Sequence, residues 1–201
     1  MHGRVALCLG NTRELTYFMA DSLPALPDWL APGLRIVSVG INPSLPSARA
    51  GFPFANPRNR FWPALNASAL VAAPLQPGVA AMSVLLERDG IGFTDVVKRP
   101  TPMEKNVSRS EFHAGAEVLL GKLRAYQPAL IWLHGKTPLH SLCRVAGVSP
   151  QGEWGLQDVV LEGVRVFVTP NPSPANAAFS LATLAEWYNR VAEASTKAVQ
   201  R

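Results

Sequence analysis

The amide of Asn42 is the first polar side chain after a strand-like run that ends in Gly40-Ile41-Asn42-Pro43. In α/β proteins, loops at the ends of buried strands commonly carry the binding and catalytic residues. Pro43 also restricts the backbone of this loop. The pattern therefore favours a polar site at the strand end. An ordinary turn is the alternative, because Asn and Pro are both frequent turn residues.

Two further loops follow strand-like runs and carry groups suited to the same site. Thr94-Asp95 supplies a carboxylate, and the proline-rich loop from Pro170 to Asn176 supplies amides. The loop from Gly40 to Ala55 adds the ring of Phe54, which follows Pro53 and does not belong to a periodic face. A ring that stacks and amides that read an edge together suit a base or a similar planar polar ligand.

Strand-like and helix-like segments alternate along the chain, and this order predicts that the three loops converge on one crevice. The predicted strands are 34–39, 91–97, 129–133, 159–161 and 164–168, with the last two joined by a tight turn at Glu162-Gly163. The predicted helices are a short one beginning near Asn59 and limited by Pro63, then 79–88, 108–126 with a capping box of Ser108 and Glu111, 136–146 and 180–194. We expect an α/β fold, a three-layer α/β/α sandwich with a mainly parallel central sheet.

Composition bounds the class of protein. The 201 residues predict a single domain at 34–201, with residues 1–33 as an extension that packs on it or flanks it. No run approaches the roughly 18 apolar residues of a membrane helix, and no convincing secretion signal is present, so we expect a soluble cytoplasmic protein. We also expect a monomer. The net charge of +5 is compatible with a polyanionic partner, and a mildly positive solvated surface is the alternative.

Cysteine and histidine usage gives no indication of a metal or a disulfide. Cys8 and Cys143 lie far apart, each in an apolar context, which favours buried thiols. No pair of histidines has zinc-site spacing with a nearby cysteine or carboxylate. We therefore expect no metal and no cofactor. His134 follows a strand and is expected to be a structural histidine.

Short motifs follow one another in a fixed order: Gly40-Ile41-Asn42-Pro43-Ser44-Leu45, Gly51-Phe52-Pro53-Phe54-Ala55, Asn59-Arg60-Phe61-Trp62, Thr94 with Val97-x-Arg99-Pro100-Thr101, and Asn171-Pro172-Ser173. In this order they resemble the mismatch-specific uracil-DNA glycosylases, a branch of the uracil-DNA glycosylase superfamily that includes the thymine-DNA glycosylases. The resemblance runs from about Leu34 to Tyr188. Several linked motifs are far more specific than any one of them.

The resemblance implies excision of a damaged or mispaired base from double-stranded DNA, chiefly uracil opposite guanine, by hydrolysis of its N-glycosidic bond. Such enzymes flip the nucleotide out of the duplex. Asn42 falls at the water-positioning residue of the family, and Phe54 at the residue that stacks on the flipped base, a contact worth about 1–3 kcal/mol in comparable sites. The base contacts implied are Ile41, Phe54 and Asn171, and the DNA contacts implied are Ser47, Arg60, Ser173, Pro174, Ala175 and Asn176.

Asp95 departs from the family pattern. A relative in the family that this chain resembles carries a lysine at this position, whereas this chain places a carboxylate at the strand end. A carboxylate near the sugar can accept a proton from the water or stabilise positive charge on the sugar ring. The alternative is a helix cap or a surface salt bridge with Lys98 or Arg99.

The loop after Asn171-Pro172-Ser173 is the second departure. The mismatch-specific relatives continue with a glycine and a bulky apolar wedge that enters the duplex, whereas this chain has Pro174 and Ala175. A methyl group fills a vacated base stack poorly, so the wedge role and the preference for a guanine partner are both in question. Asn171 stands where many superfamily members carry histidine, which argues against a general acid at this position.

Two other functions compete with the glycosylase. A binding module that recognises abnormal bases without cleaving them would tolerate the lost wedge and the changed residue at Asp95. An enzyme acting on free nucleosides or nucleotides is the other alternative, although the sequence has no glycine-rich phosphate loop to support it.

Overall fold

A five-stranded sheet forms the centre of the computed structural model, which describes residues 23–150 and 152–199. The strands are β1 (Ile36–Gly40), β2 (Ile91–Asp95), β3 (Leu130–His134), β4 (Gly155–Leu161) and β5 (Val164–Thr169). Their order across the sheet is β2-β1-β3-β5-β4, and every neighbouring pair is parallel except β4 with β5. The mainly parallel sheet predicted from the sequence is confirmed.

Helices cover both faces of this sheet. They are α1 (Leu45–Ala50), α2 (Phe61–Asn66), α3 (Val79–Glu87), α4 (Arg109–Tyr126), α5 (Lys136–Ala146) and α6 (Leu181–Val199), with a short 3₁₀ helix at Glu104–Asn106. None of the helices in the described part of the chain is long and apolar enough to span a membrane.

Each face of the sheet has its own apolar core, because successive strand residues point to opposite faces. Val37 and Ile131 pack with α4 and α5 on one face. Ile36 and Trp132 pack with α2, α3 and α6 on the other, around the fully buried ring of Phe61. The central strands are buried on both faces, as expected of a parallel sheet covered by helices. This rigid centre holds the strand ends from which the functional loops leave.

Local sequence signals explain several element boundaries. Ser108 and Glu111 form the capping box at the start of α4. The hairpin between β4 and β5 turns at Glu162-Gly163 as predicted, with both residues at positive φ. Helix α5 has the predicted bounds, and α6 continues five residues beyond the predicted end near Ala194.

The segment from Gly40 to Ala55 was predicted to be a loop throughout, and this is wrong for its middle part. Residues Leu45–Ala50 form α1, which Ser44 caps by accepting a hydrogen bond from the Ser47 backbone N–H. Pro46 is tolerated in the first turn of this helix, because the N–H that a proline lacks would have no partner within the helix. Gly51 ends the helix in a left-handed conformation. The short helix brings the chain back so that Phe54 faces the strand ends.

The described part of the predicted extension lies against the edge of the sheet. Leu26 is buried, and Trp29 forms an antiparallel bridge with Phe93 of β2 through two backbone hydrogen bonds of 2.8 and 2.9 Å. Residues 1–22, which include Cys8, lie outside the described residues. Cys143 is buried as a free thiol, as expected.

Candidate active site

The predicted loops meet in one cleft of about 690 Å³ at the carboxyl ends of the parallel strands. This is the edge at which open α/β sheets bind ligands. Nine of the predicted site residues line the cleft: Ile41, Asn42, Ser47, Phe54, Asp95, Asn171, Ser173, Ala175 and Asn176. Arg60 and Pro174 are the two predicted residues that do not. Most of the residues predicted from the sequence therefore lie at one cleft.

The amide of Asn42 is held in a single orientation by the loops around it. Its Nδ2 donates to the carbonyl oxygens of Arg99 at 3.0 Å and Pro43 at 3.2 Å, and to Oγ1 of Thr101 at 2.8 Å. The Thr101 hydroxyl gives its own proton to the carbonyl of Met103 at 2.9 Å, so Thr101 Oγ1 accepts from Asn42. These acceptors fix the nitrogen and leave the amide oxygen as an acceptor for a water.

Thr101 is a site residue that the functional assignment from sequence missed. It lies at the end of the Val97-x-Arg99-Pro100-Thr101 motif, whose sequence resembles the family but indicates no function for the threonine. The backbone N–H of Thr101 donates to the Pro43 carbonyl at 3.1 Å, and a bridge joins residues 44 and 101. The motif therefore holds the loop of Asn42 in place.

Asp95 ends β2 directly beside Gly40 at the end of β1, where the two residues are paired across the sheet. A Cβ atom at residue 40 would overlap the Asp95 Oδ1 atom, so the glycine leaves room for the carboxylate in its present position. Asp95 is partly exposed as a whole residue and lines the cleft, while the protein surrounds its carboxyl group. Asp95 is therefore paired with Gly40, which precedes Asn42 by two positions in the chain.

Burial raises the pKa of Asp95 to about 6, and Lys98 and Lys122 only partly oppose this effect. The alternative of a salt bridge with Lys98 or Arg99 is not what the structure has, because Lys98 pairs with Asp28 and Arg99 pairs with Glu111. Among the described residues, none forms a hydrogen bond or ion pair with the Asp95 side chain. The carboxylate is ionised above its pKa and lines the cleft without a partner among residues 23–150 and 152–199.

Phe54 lines the cleft in an unusual backbone conformation. Its φ of 58° is rare for a residue with a side chain. The ring stacks on Phe61 with centroids 4.0 Å apart, and it meets the ring of His134 edge-on at 5.1 Å. Phe61 is fully buried, so the position of Phe54 is set by the core. A ring held in this way offers a planar base a rigid stacking surface.

His134 is neutral and its ring is tied to the sheet. Nε2 shares a hydrogen bond of 2.8 Å with Oγ of Ser38 on β1. Burial lowers the pKa of His134 to about 3. The ring is enclosed by aromatic residues that include Trp132, at 4.4 Å between ring centroids. Its neutral state and its hydrogen bond within the sheet agree with the structural role expected from the sequence, although the residue also lines the cleft.

The loop at 171–176 is held together by its own side chains. Asn171 Oδ1 accepts from the backbone N–H of Ser173 at 2.9 Å, and Asn176 Nδ2 donates to the Asn171 carbonyl at 3.0 Å. The hydroxyl of Ser173 accepts from the backbone N–H of Ala175 at 3.3 Å. Pro174 and Ala175 are exposed at the tip. The base and DNA contacts expected of these residues stay predictions.

Arg60 and Ser47 act within the protein. The Arg60 guanidinium donates to the carbonyls of Ser173 at 2.8 Å, Asn176 at 2.6 Å and Phe179, so it fastens the base of the 171–176 loop. Ser47 is buried, and its hydroxyl accepts from the backbone N–H of Ala55 at 3.2 Å. Both side chains position loops of the cleft. The direct DNA contacts expected of them stay predictions.

A metal centre is not suggested by the described residues, which contain no group of three or more His, Cys, Asp or Glu side chains able to hold an ion. The cleft instead combines an oriented amide, a carboxylate that no described residue pairs with, and a supported aromatic ring. This set can place a water against a planar ligand and stabilise positive charge beside it.

The sequence model of the uracil DNA glycosylase superfamily matches residues 27–193. The matched range covers most of the chain and includes every residue that lines the cleft except Leu26. Membership of this superfamily supports a DNA glycosylase activity, that is, a hydrolase acting on DNA. The chain belongs to the uracil DNA glycosylase superfamily.

Proposed function

We propose that this protein excises uracil from DNA, chiefly from U:G mismatches, and also excises other damaged pyrimidines. It does so by hydrolysing the N-glycosidic bond with a positioned water. The observation that carries the proposal is that Asn42 and Asp95 line the same cleft. The amide is fixed through its nitrogen, and the carboxylate has no partner within the described chain. This would make it a monofunctional glycosylase of the mismatch-specific branch.

Asn42 positions the water in this mechanism. Its amide nitrogen is bound to Arg99 O and Thr101 Oγ1, so its oxygen accepts a hydrogen bond from the water. An amide is too weak a base to deprotonate water at neutral pH, so its contribution is orientation. Orientation of an attacking water supplies a large part of a hydrolytic rate when the geometry is held rigidly.

Asp95 supplies the charge. As the C1′–N bond breaks, positive charge develops on the sugar ring, and a carboxylate at this position stabilises it. The water oxygen bonds to C1′, its proton passes to the Asp95 carboxylate, and the base leaves with the electron pair of the broken bond. Because the pKa of Asp95 is raised to about 6, the group is ionised at neutral pH and still accepts a proton readily.

Phe54 and the 171–176 loop are proposed to determine which base is accepted. The ring of Phe54 stacks on the flipped pyrimidine, supported from behind by Phe61. The exposed tip at Pro174 and Ala175 offers only small side chains to the vacated stack. Selection then depends on how easily the target base leaves the duplex, which favours mismatched and single-stranded uracil.

A panel of labelled oligonucleotides tests this function. We expect U:G duplexes to release uracil and leave an alkali-sensitive abasic site, with U:A duplexes slower because the pair is harder to open. T:G, ethenocytosine and single-stranded uracil belong in the same panel. Tight binding to U:G without base release would instead favour a non-catalytic binding module, and activity confined to free nucleosides would favour a nucleoside hydrolase.

A further inference from the structure

Two lysines lie near Asp95, and Asp28 binds both of them. The Asp28 Oδ1 atom pairs with Nζ of Lys98, and its Oδ2 pairs with Nζ of Lys122 at 2.6 Å. The hydroxyl of Thr94, the residue before Asp95, donates to the same Oδ1 at 2.5 Å. The carboxylate of Asp28 therefore forms ion pairs with both ammonium groups on the outer side of β2.

The backbone around Asp28 fixes this arrangement. Trp29 is bridged to Phe93 on β2 in both directions, and a side chain at Gly92 would overlap the Trp29 carbonyl oxygen. The neighbouring Leu26 is buried. Asp28 is thus held beside the end of β2 by main-chain contacts and does not depend on its own ion pairs for its location. Its side chain is 26% exposed.

Both lysines share a surface pocket of about 280 Å³ with Asp95, between β2 and α4. Lys98 follows Asp95 by three residues, and Lys122 projects from α4. An ammonium group that paired with Asp95 would hold its carboxylate away from the cleft and stabilise its charge. Such pairing is the ordinary outcome for a carboxylate with two lysines nearby.

We propose that Asp28 is a positioning residue for the reaction: by binding Lys98 and Lys122, it keeps the Asp95 carboxylate unpaired and available to the cleft. The inference rests on the proposed catalytic function of Asp95. Asp28 lies on a segment that follows none of the strands, which is why the sequence motifs gave no indication of it.

The charges around Asp95 agree with this role. Burial raises the pKa of Asp28, but its hydrogen bonds with Lys122, Lys98 and Thr94 outweigh burial and leave the pKa below its usual range. Asp28 is therefore ionised wherever Asp95 titrates. Within the described part of the chain, the other titratable groups facing the site are His134, which is neutral, Glu111, which pairs with Arg99, and Glu104 and Lys105 at the cleft wall.

The test is the pH dependence of single-turnover uracil release, measured with enzyme in saturating excess over a U:G duplex. For the wild type we expect the rate to fall towards low pH as Asp95 is protonated, and we call this fall the acid limb. Its midpoint should lie at the pKa of Asp95, about 6. In Asp28→Asn the lysines are released, and the acid limb should move to lower pH by about one unit, with a lower plateau rate. In Lys98→Met/Lys122→Met, Asp28 remains as an unneutralised anion, and the limb should move to higher pH.

Opposite shifts in these two variants show that the charges of Asp28 and the lysines act on Asp95, since loss of packing shifts the acid limb in no charge-dependent direction. The plateau rate tests positioning, because charge acting through space leaves the rate of the fully ionised enzyme unchanged, whereas lysines that pair with Asp95 lower it. An Asp28→Asn plateau equal to that of the wild type would overturn the inference. The triple variant Asp28→Asn/Lys98→Met/Lys122→Met should return the limb to near the wild-type position. Glu162→Gln is the matched control, because it removes an ion pair with Arg124 at the far end of the sheet and changes the net charge equally. It should leave the limb unchanged.

An unshifted acid limb in both Asp28→Asn and the double lysine variant would overturn the inference. The same measurement on Asp95→Asn distinguishes this failure from that of the proposed function. If Asp95→Asn keeps the wild-type rate and acid limb, Asp95 is not catalytic and the premise is wrong. If Asp95→Asn loses both but the Asp28 and lysine variants behave as the wild type, only the role of Asp28 is wrong.

Discussion

At the scale of single residues, the candidate site depends on what holds Asn42 and on the pairing of Lys98 and Lys122 with Asp28 instead of Asp95. The motif containing Asn42 was visible in the sequence, but its orientation comes from Thr101 and the Arg99 carbonyl, which lie more than fifty residues further along the chain. Asp95 could be recognised as a carboxylate at a strand end. That Lys98 does not pair with it could not be predicted, because nothing local indicates that Lys98 pairs with Asp28.

Thr101→Val tests how Asn42 is held. The change keeps the size of the side chain and removes the oxygen that accepts from Asn42 Nδ2 at 2.8 Å. With a looser amide we expect the single-turnover rate of uracil release to fall about tenfold or more, since small misplacements of a catalytic group are costly. Thr101→Ser retains the hydroxyl and serves as the control. A valine variant with the serine variant's rate would exclude this role.

Asp95→Asn should stabilise the protein while it impairs catalysis. The pKa of Asp95 is raised in the folded state, so folding becomes less favourable as pH rises from about 4, and the full cost is reached above about pH 6. The asparagine has no charge to bury. We expect the free energy of unfolding at pH 7.5 to increase by on the order of 1–2 kcal/mol, with the gain fading towards pH 4.

Chemical denaturation of both proteins at several pH values measures this difference. A variant that is less stable than the wild type at pH 7.5, or equally stable at every pH, would mean that burial of Asp95 imposes no such cost.

At the scale of elements, long periodic segments were predictable and the short helix α1 was not. Helix α4 begins with a capping box in the sequence and in the structure. Helix α1 has only six residues, too few for a hydrophobic period, and its Asn-Pro entry suggests a turn. Its cap, Ser44, directly follows Pro43, so the sequence around it indicates a turn and not the start of a helix. The helix forms because tertiary packing buries Leu45 and Ala48.

Two glycines of α4 provide a matched test of how this helix positions β2. Gly115 lies against the backbone of Val96, where an added Cβ would overlap the carbonyl oxygen, whereas Gly121 has open space around it. Gly115→Ala should destabilise the protein by about 1–3 kcal/mol and slow catalysis, because Val96 follows Asp95. Gly121→Ala should stabilise it by up to about 1 kcal/mol, because glycine is a poor helix former.

Thermal unfolding and single-turnover rates of the two variants provide the comparison. Equal effects of the two alanines on stability would show that close contact between α4 and the end of β2 does not matter.

At the scale of the whole molecule, the alternation of strands and helices was enough to predict the fold and the edge of the sheet that carries the cleft. Parallel strands bring their carboxyl ends together whatever the loop details are. The sequence did not indicate that the segment before β1 takes part, because Asp28 and Trp29 belong to no strand or helix. Their place depends on an isolated bridge to Phe93, which involves only backbone groups.

Single-turnover release of uracil from a U:G duplex by the wild type, Asn42→Ala and Asp95→Ala tests the central claim most directly. The account predicts base release by the wild type and a rate at least a hundredfold lower in each variant, since each loses a group that acts on the attacking water or on the charge that develops. Excision by Asp95→Ala at the wild-type rate would contradict it, and so would a wild type that releases no base.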